Sequence, residues 1–318
     1  MDNLLIIFGA TGDLVKNKIF PVIKDLEDTK IVTYTRKKTN SEFTSIVGEL
    51  NNLTQLRNYV QKYEFKNLFF YVALPPHLYS ELIINIVNTF NDIDIHVALE
   101  KPFAENLVQA IDLSKTIEKI GKNKFYLVDH YCAKNDLISF RKNDILLNKI
   151  DRVDINILET DDLQNRGVFF DRVGVIKDTF QSHALLVANL IIQKPFHSKE
   201  FIFVKNSLKT KQFLGYKNII GVSKNSKTET YFEASFKYKN VLFNFKVGKG
   251  QKTKNKSVNI FSNTKIIKTL SLSDNNTLDE SPHRKIILDF VSQKNEFSTS
   301  IDQSIEQWKI TENILNKI

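Results

Sequence analysis

Short apolar runs alternate with helical patterns through the first 129 residues, and this alternation restricts the fold more than any other feature of the chain. Leu4-Leu5-Ile6-Ile7-Phe8 is of strand length, breaks at Gly9-Ala10-Thr11-Gly12-Asp13-Leu14, and gives way to a helical pattern from Val15 to Ile23. Apolar runs recur at residues 30–35, 68–74, 96–100 and 124–128, with helical spacing over 78–90 and 107–120. Strand and helix in repeated succession predict a doubly wound parallel sheet. In such a sheet the ligand lies beyond the carboxyl ends of the strands, so the residues that end each run are the functional candidates.

Four strand ends carry chemistry. The Gly9 to Leu14 turn would bring backbone amides at a helix N-terminus toward a pyrophosphate, although Gly-x-x-Gly also suits a purely structural turn. Residues 30–35 end in Arg36-Lys37-Lys38, where an NAD site usually carries an acid for the ribose hydroxyls. Three bases there predict NADP, because Arg36 can stack on adenine and fork onto a 2′-phosphate. Residues 96–100 stop at Lys101-Pro102, which puts Lys101 on the edge where nicotinamide and substrate should meet. Residues 124–128 end in Asp129-His130-Tyr131-Cys132-Ala133-Lys134. There an aspartate can orient an imidazole, and Tyr131 and Lys134 offer donors to an anion.

The pattern changes after Lys134, so the expected domains are 1–134 and 135–318, with a helical linker through Leu147. Arg152 to Glu159 alternates as a half-buried strand. From about Asp171 to Ile192 the chain reads as one long helix, apolar on nearly all sides but interrupted by Asp178, Gln181 and His183. Burying such groups unpaired costs about 1–3 kcal/mol each. Asp178 and His183 lie roughly 140° apart on an ideal α-helix, so a straight helix could not put them on one face. Residues 231–238 and 241–247 form a predicted hairpin around Lys239-Asn240, followed by a basic loop from Gly248 to Lys256. Ser281-Pro282 should open a helix, and another should run from Ile301 around Trp308.

The net charge of +9 and pI near 9.3 point to anionic partners: nucleic acid, anionic membrane or phosphorylated metabolites. The lysines are spread along the chain instead of clustered, which weighs against nucleic acid. Cys132 is the only cysteine, so neither an intrachain disulfide nor a cysteine metal cage is possible, and no metal is expected. No apolar run reaches the roughly 20 residues of a membrane helix, and the expectation is a cytoplasmic protein.

Taken together, these motifs resemble glucose-6-phosphate dehydrogenase, in order from Gly9 to about Trp308. Gly9 to Leu14 with Lys18-Ile19-Phe20-Pro21, Tyr34-Thr35-Arg36, Ala73-Leu74-Pro75-Pro76, Glu100-Lys101-Pro102-Phe103, and Asp129-His130-Tyr131 with Lys134 carry the first half. Arg166-Gly167 through Phe170-Asp171, then Asp178 and Gln181-Ser182-His183, carry the second. The resemblance implies an α/β Rossmann-type domain followed by an α+β domain with a large, mainly antiparallel sheet used for dimerisation. It implies that Gly9, Thr11, Gly12, Asp13, Leu14, Arg36, Lys37, Pro75 and Lys101 bind NADP. His183 would be the general base and Asp129 its orienting partner. A sugar phosphate would be held by Lys101, His130, Tyr131, Lys134, Glu159, Asp178, Lys249 and Lys254. Ser182 stands where the family usually has asparagine, the segment after Lys134 is short, and little matches between Ile260 and Ser281. An oxidoreductase of an unphosphorylated or nucleotide-linked sugar and a non-catalytic NADPH-binding paralogue are the alternatives.

Overall fold

The computed structural model describes residues 2–39, 42–142, 149–160, 163, 166–194, 196–273 and 277–318. The chain forms two compact units, Met1–Ala133 with Asn275–Ser304 and Lys134–Asp274 with Ile305–Ile318. Among the described residues no helix is long and apolar enough to cross a membrane.

In the first unit, β1 (Asn3–Phe8), β2 (Thr29–Thr35), β3 (Thr44–Val47), β4 (Asn67–Val72), β5 (Asp94–Glu100) and β6 (Phe125–Val128) are all parallel, in the order β3-β2-β1-β4-β5-β6. That order reverses at β1, which pairs with β2 on one side and β4 on the other. The continuous apolar runs of β1 and β4 are buried throughout their centres, as strands covered on both faces require. A π-helical turn Val15–Ile19 and α1 (Phe20–Ile23) follow β1; α2 (Thr54–Tyr63), α3 (Tyr79–Thr89) and α4 (Leu107–Ile120) precede β4, β5 and β6. The strand β3 is only four residues long with one buried position, Ile46, so it carries no readable period.

The first segment of the first unit ends at Ala133, and residues 275–304 belong to the same unit. The helix Pro282–Val291 buries Ile286, Ile287 and Phe290 in the same core as Leu5, Val15, Ile19 and Phe69. Phe290 meets Phe69 and Tyr126 edge-on, with centroids 5.4 and 5.0 Å apart. The short strand Ser298–Thr299 then pairs antiparallel with β6. A local pattern identifies such a helix but not the core it returns to.

The second unit is built on a sheet of β7 (Arg152–Leu158), β8 (Phe201–Phe203), β9 (Lys209–Lys211), β10 (Tyr231–Tyr238), β11 (Val241–Gly248), β12 (Asn255–Ser262) and β13 (Lys265–Ser271). Its order is β13-β12-β7-β11-β10-β8, with β9 also on β10, and only the β7–β11 pair is parallel. The predicted hairpin is β10–β11, turning at Lys239 and Asn240 with Lys239 at φ 53°. Asn255 and Lys256, expected in a loop, already belong to β12. The expected linker helix is α5 (Asn135–Arg141); residues 143–147 lie outside the described residues.

The long helix expected from Asp171 is instead three segments: α6 (Gly167–Val175), a π-helix (Ile176–Ala184) and α7 (Leu185–Ile192). Gly174, at φ 69° and ψ 169°, breaks α6 near its end. From the π-helix Phe180 enters the buried face of the sheet, 4.7 Å from the Phe232 ring and 5.1 Å from Phe245. The opposite face is polar: Ser235 Oγ donates to Asn244 Oδ1 at 2.6 Å and Asn244 Nδ2 to Asp154 Oδ1 at 2.7 Å. Phe180→Ala should cost about 3–5 kcal/mol, the range for a fully buried aromatic. Urea denaturation of the two proteins checks this, and a loss under 1 kcal/mol would mean that the π-helix is held by something other than this ring.

Candidate active site

At the strand-order reversal, Gly9 ends β1 at φ 81°, and a Cβ there would lie 2.1 Å from the Ala73 carbonyl oxygen beyond β4. Only glycine fits a turn that needs both positive φ and this approach. The Gly12 amide donates to the Gly9 carbonyl at 2.9 Å, closing the turn in front of Asp13 and Leu14. A cleft of about 550 Å³ opens beside it, lined by Gly9, Thr11, Arg36, Lys37, Glu49 and Leu74 among others. Tyr34 also lines it; its ring packs on Phe8 and its hydroxyl donates to the Asn52 carbonyl at 2.7 Å. Thr35 Oγ1 donates to the Lys37 carbonyl at 2.7 Å and shapes the basic turn, leaving Arg36, Lys37 and Lys38 exposed. Pro75 is exposed beyond β4, and its carbonyl accepts from the Leu78 amide.

Behind Lys101 lies a buried acid that the sequence pattern treats as a strand end. Glu100 accepts from the Tyr71 hydroxyl at 2.5 Å and from the Lys101 amide at 3.0 Å, while its carbonyl accepts from the Tyr79 hydroxyl at 2.6 Å. Burial pushes the Glu100 carboxyl up to about 7; Asp129 adds to the rise, and the Tyr71 bond opposes it. Asp129, 1% exposed, accepts from the Tyr131 amide through its side chain and from the Cys132 amide through its carbonyl, each at 2.9 Å. It thereby caps the turn His130–Ala133. Tyr131 and Cys132 are buried there, and the half-buried His130 is the member of that turn that reaches solvent. Its ring lies flat on His283, 12° from parallel with centroids 5.4 Å apart, and meets the Tyr131 ring at 4.7 Å.

In the second unit the break at Gly174 is filled by Glu229. A Cβ on Gly174 would lie 2.4 Å from Glu229 Oε1. That oxygen accepts from the Ile176 amide at 3.0 Å, and the Glu229 carbonyl accepts from the Val175 amide at 3.0 Å. Two consecutive amides at the start of the π-helix are thus anchored by one residue. Burial pushes the Glu229 carboxyl above its ordinary range, against the pull of the Ile176 bond. The π-helix also changes the relation of Asp178 to His183. A π-helix bonds residues five apart through the backbone, so the two are brought closer in angle than the roughly 140° of an ideal α-helix. Both are buried, and Arg166 lies 3.7 Å from the Asp178 carboxylate.

At one end of the second sheet the parallel strands β7 and β11 finish side by side, with Leu158 opposite Gly248. The next residues are Glu159 and Lys249, and β12 starts alongside with Asn255 opposite Leu158. Glu159 is ion-paired through Oε2 to Lys249 Nζ and through Oε1 to Lys256 Nζ. Burial alone would raise the Glu159 carboxyl, but the two ammonium groups overcome it and hold it at about 2. Lys254 is exposed in the turn before β12, and Lys134 is buried at the start of α5.

Two family profiles match consecutive stretches: "Glucose-6-phosphate dehydrogenase, NAD binding domain" over residues 30–138 and "Glucose-6-phosphate dehydrogenase, C-terminal domain" over 142–205. The chain belongs to the glucose-6-phosphate dehydrogenase family. A relative from Helicobacter pylori (strain J99), glucose-6-phosphate 1-dehydrogenase, is 26% identical over 93% of this chain and 84% of its own. The crystal structure of glucose-6-phosphate 1-dehydrogenase from Mycobacterium avium is similar in fold, with TM-score 0.81 and 20% identity, covering 100% of this chain and 93% of that one. Myo-inositol 2-dehydrogenase from Lactobacillus plantarum shares the fold at TM-score 0.72 and 12% identity, over 99% of this chain and 97% of that one.

Membership of the glucose-6-phosphate dehydrogenase family brings a nicotinamide coenzyme to the first unit. The residues present fit one, since the cleft beside Gly9 runs to the basic end of β2. Of the residues expected to serve there, Gly9, Thr11, Arg36 and Lys37 line this cleft. Asp129, His130 and Tyr131 share one turn, and Asp178 and His183 share the π-helix. Glu159 and Lys249 are in contact, whereas Lys254 stands apart from them in the exposed turn. Glu100, Glu229, His283 and Lys256 escape a reading by motif. The nearest signal was the acid of Glu100-Lys101-Pro102; the other three depend on pairings across 50 or more residues, such as Ile176 with Glu229.

A carboxyl held at about 2 when folded, and near 4.3 when unfolded, binds fewer protons in the folded state. Its contribution to stability is therefore complete above about pH 5 and lost as the pH falls toward 2. The midpoint difference between the wild type and Glu159→Gln should shrink across that window in urea titrations. A difference that is constant from pH 7 to 3 would remove the lysine pairing as its source.

Proposed function

We propose that this glucose-6-phosphate dehydrogenase family member oxidises glucose 6-phosphate, or a close sugar phosphate, at C1 to the lactone with NADP. The observation that carries the reading is the buried His183 five residues from the buried Asp178 on a nine-residue π-helix, entered at the Gly174 break and anchored by Glu229. Long π-helical segments are rare and cluster at functional sites. The family's C-terminal profile covers this stretch.

In this reading His183 removes the proton from the C1 hydroxyl, and Asp129 orients the imidazole and stabilises its cationic form. His130, Tyr131 and Lys134 bind the phosphate, Lys101 reaches sugar and coenzyme, and Glu159, Asp178 and Lys249 hold the rest of the sugar phosphate. NADP, when bound, supplies the acceptor for the hydrogen and electron pair lost from C1. Gly9, Thr11, Gly12, Asp13, Leu14 and Pro75 hold it in this reading, and the exposed Arg36 and Lys37 attract the 2′-phosphate with their fixed positive charge.

General-base catalysis contributes about 10²–10⁴-fold, so His183→Asn should lower turnover by that factor while NADP affinity holds. NADPH formation from glucose 6-phosphate, followed at 25 °C beside a panel of other sugar phosphates, measures this; near-normal turnover would remove His183 from the chemistry. Arg36→Ala should lower the NADP-over-NAD preference by about 10- to 150-fold, equivalent to 1.5–3 kcal/mol for a bond to a charged group. An unchanged ratio of kcat/KM values for the two coenzymes would take Arg36 out of the 2′-phosphate role.

A further inference from the structure

We infer that Lys256 is a substrate-anion ligand of this protein, forming with Lys249 and Glu159 a receptor at the shared end of β7, β11 and β12. The inference rests on the proposed sugar-phosphate chemistry and deepens it by assigning the second cation of the site to Lys256.

Strand register creates this group. Because β7 and β11 run parallel and β12 runs back from the same end, Glu159, Lys249 and Lys256 are brought together although 97 residues separate the first from the last. Lys256 lies on β12 opposite Ile157, and its side chain is 16% exposed; that of Lys249 is 10% exposed. Each ammonium has three N–H donors and no acceptor. Glu159 takes one donor from each, and among the described residues nothing accepts the others. Two carboxylate oxygens are thus answered by two cations, which leaves a net charge of +1 and four unspent donors in a mostly buried place.

A closed ion triad that only clamped strand ends would have no use for the second cation. One lysine neutralises Glu159; a second costs desolvation that its pairing does not fully return. An incoming phosphate or sugar oxygen supplies the missing acceptors, and Glu159 fixes both ammonium groups in position before it arrives. Lys254 cannot take this place from the exposed turn in which it lies.

The test compares the wild type with Lys256→Ala, Lys256→Gln, Lys256→Arg, Lys254→Ala and, as a control in the neighbouring turn, Lys252→Ala. NADPH formation gives kcat and KM for each, and thermal shift with inorganic phosphate and with glucose 6-phosphate gives binding without turnover. Lys256→Ala should raise KM for glucose 6-phosphate by about 10-fold or more, the loss of one hydrogen bond to a charged group. KM for NADP should stay the same and kcat should change less than about threefold. Lys256→Arg should recover most of the affinity, and Lys256→Gln, which keeps the stem, serves if the alanine variant does not fold. An unchanged KM in the alanine and glutamine variants, or a KM rise with Lys254→Ala in place of Lys256→Ala, overturns the inference. If the wild type fails to turn over glucose 6-phosphate, the proposed function fails by itself. The receptor then stands if phosphate raises the wild-type midpoint and Lys256→Ala abolishes that rise, and it falls if no phosphate compound shifts the wild type.

Discussion

The first unit depends on the reversal of strand order at β1. With β2 on one flank and β4 on the other, all six parallel strands end on one edge, and successive turns leave that edge in opposite directions. The approach of Gly9 to the Ala73 carbonyl is the tightest expression of this constraint. From it follow the cleft, the placement of Arg36 and Lys37 on its wall, and the alignment of Lys101 and Asp129 at neighbouring strand ends.

Buried charge is used in two opposite senses. Glu100 has tyrosines and amides around it with a second carboxylate nearby, so burial dominates and its proton is held up to about 7. Glu159 is half-buried, yet two ammonium groups reverse the effect and keep it ionised down to about 2. The first is an acid whose charge is sensitive near neutral pH; the second is a fixed anion that holds two cations. Burial pushes both carboxyls up, and the partners decide the sign of the net shift.

In the second unit the aromatic layer carries the helical segments. Phe180 packs among Phe232, Phe236 and Phe245, so the register of the π-helix on the sheet is set by ring packing at one point and by Glu229 at its start. Gly174 lets the chain enter that geometry. These restraints hold Asp178 and His183 on an element whose winding differs from an α-helix, so the roughly 140° that a regular helical wheel puts between the two residues does not apply.

The sequence by itself determined the alternation of strands and helices in the first unit, the hairpin β10–β11, the helix starts at Pro282 and Ile301, and the residue types at each strand end. All of these rest on periods of two or 3.6 residues and on local turn chemistry. It also carried the family resemblance, through motifs that are contiguous in the chain. Only the tertiary structure decided that residues 275–304 return to the first core, that the helix bearing His183 is broken and partly π-helical, and that Lys256 and not Lys254 faces Glu159. Each of these follows from a contact between distant segments, a buried apolar face, a carboxylate at a glycine, or a strand register, and such contacts leave no period in the local sequence.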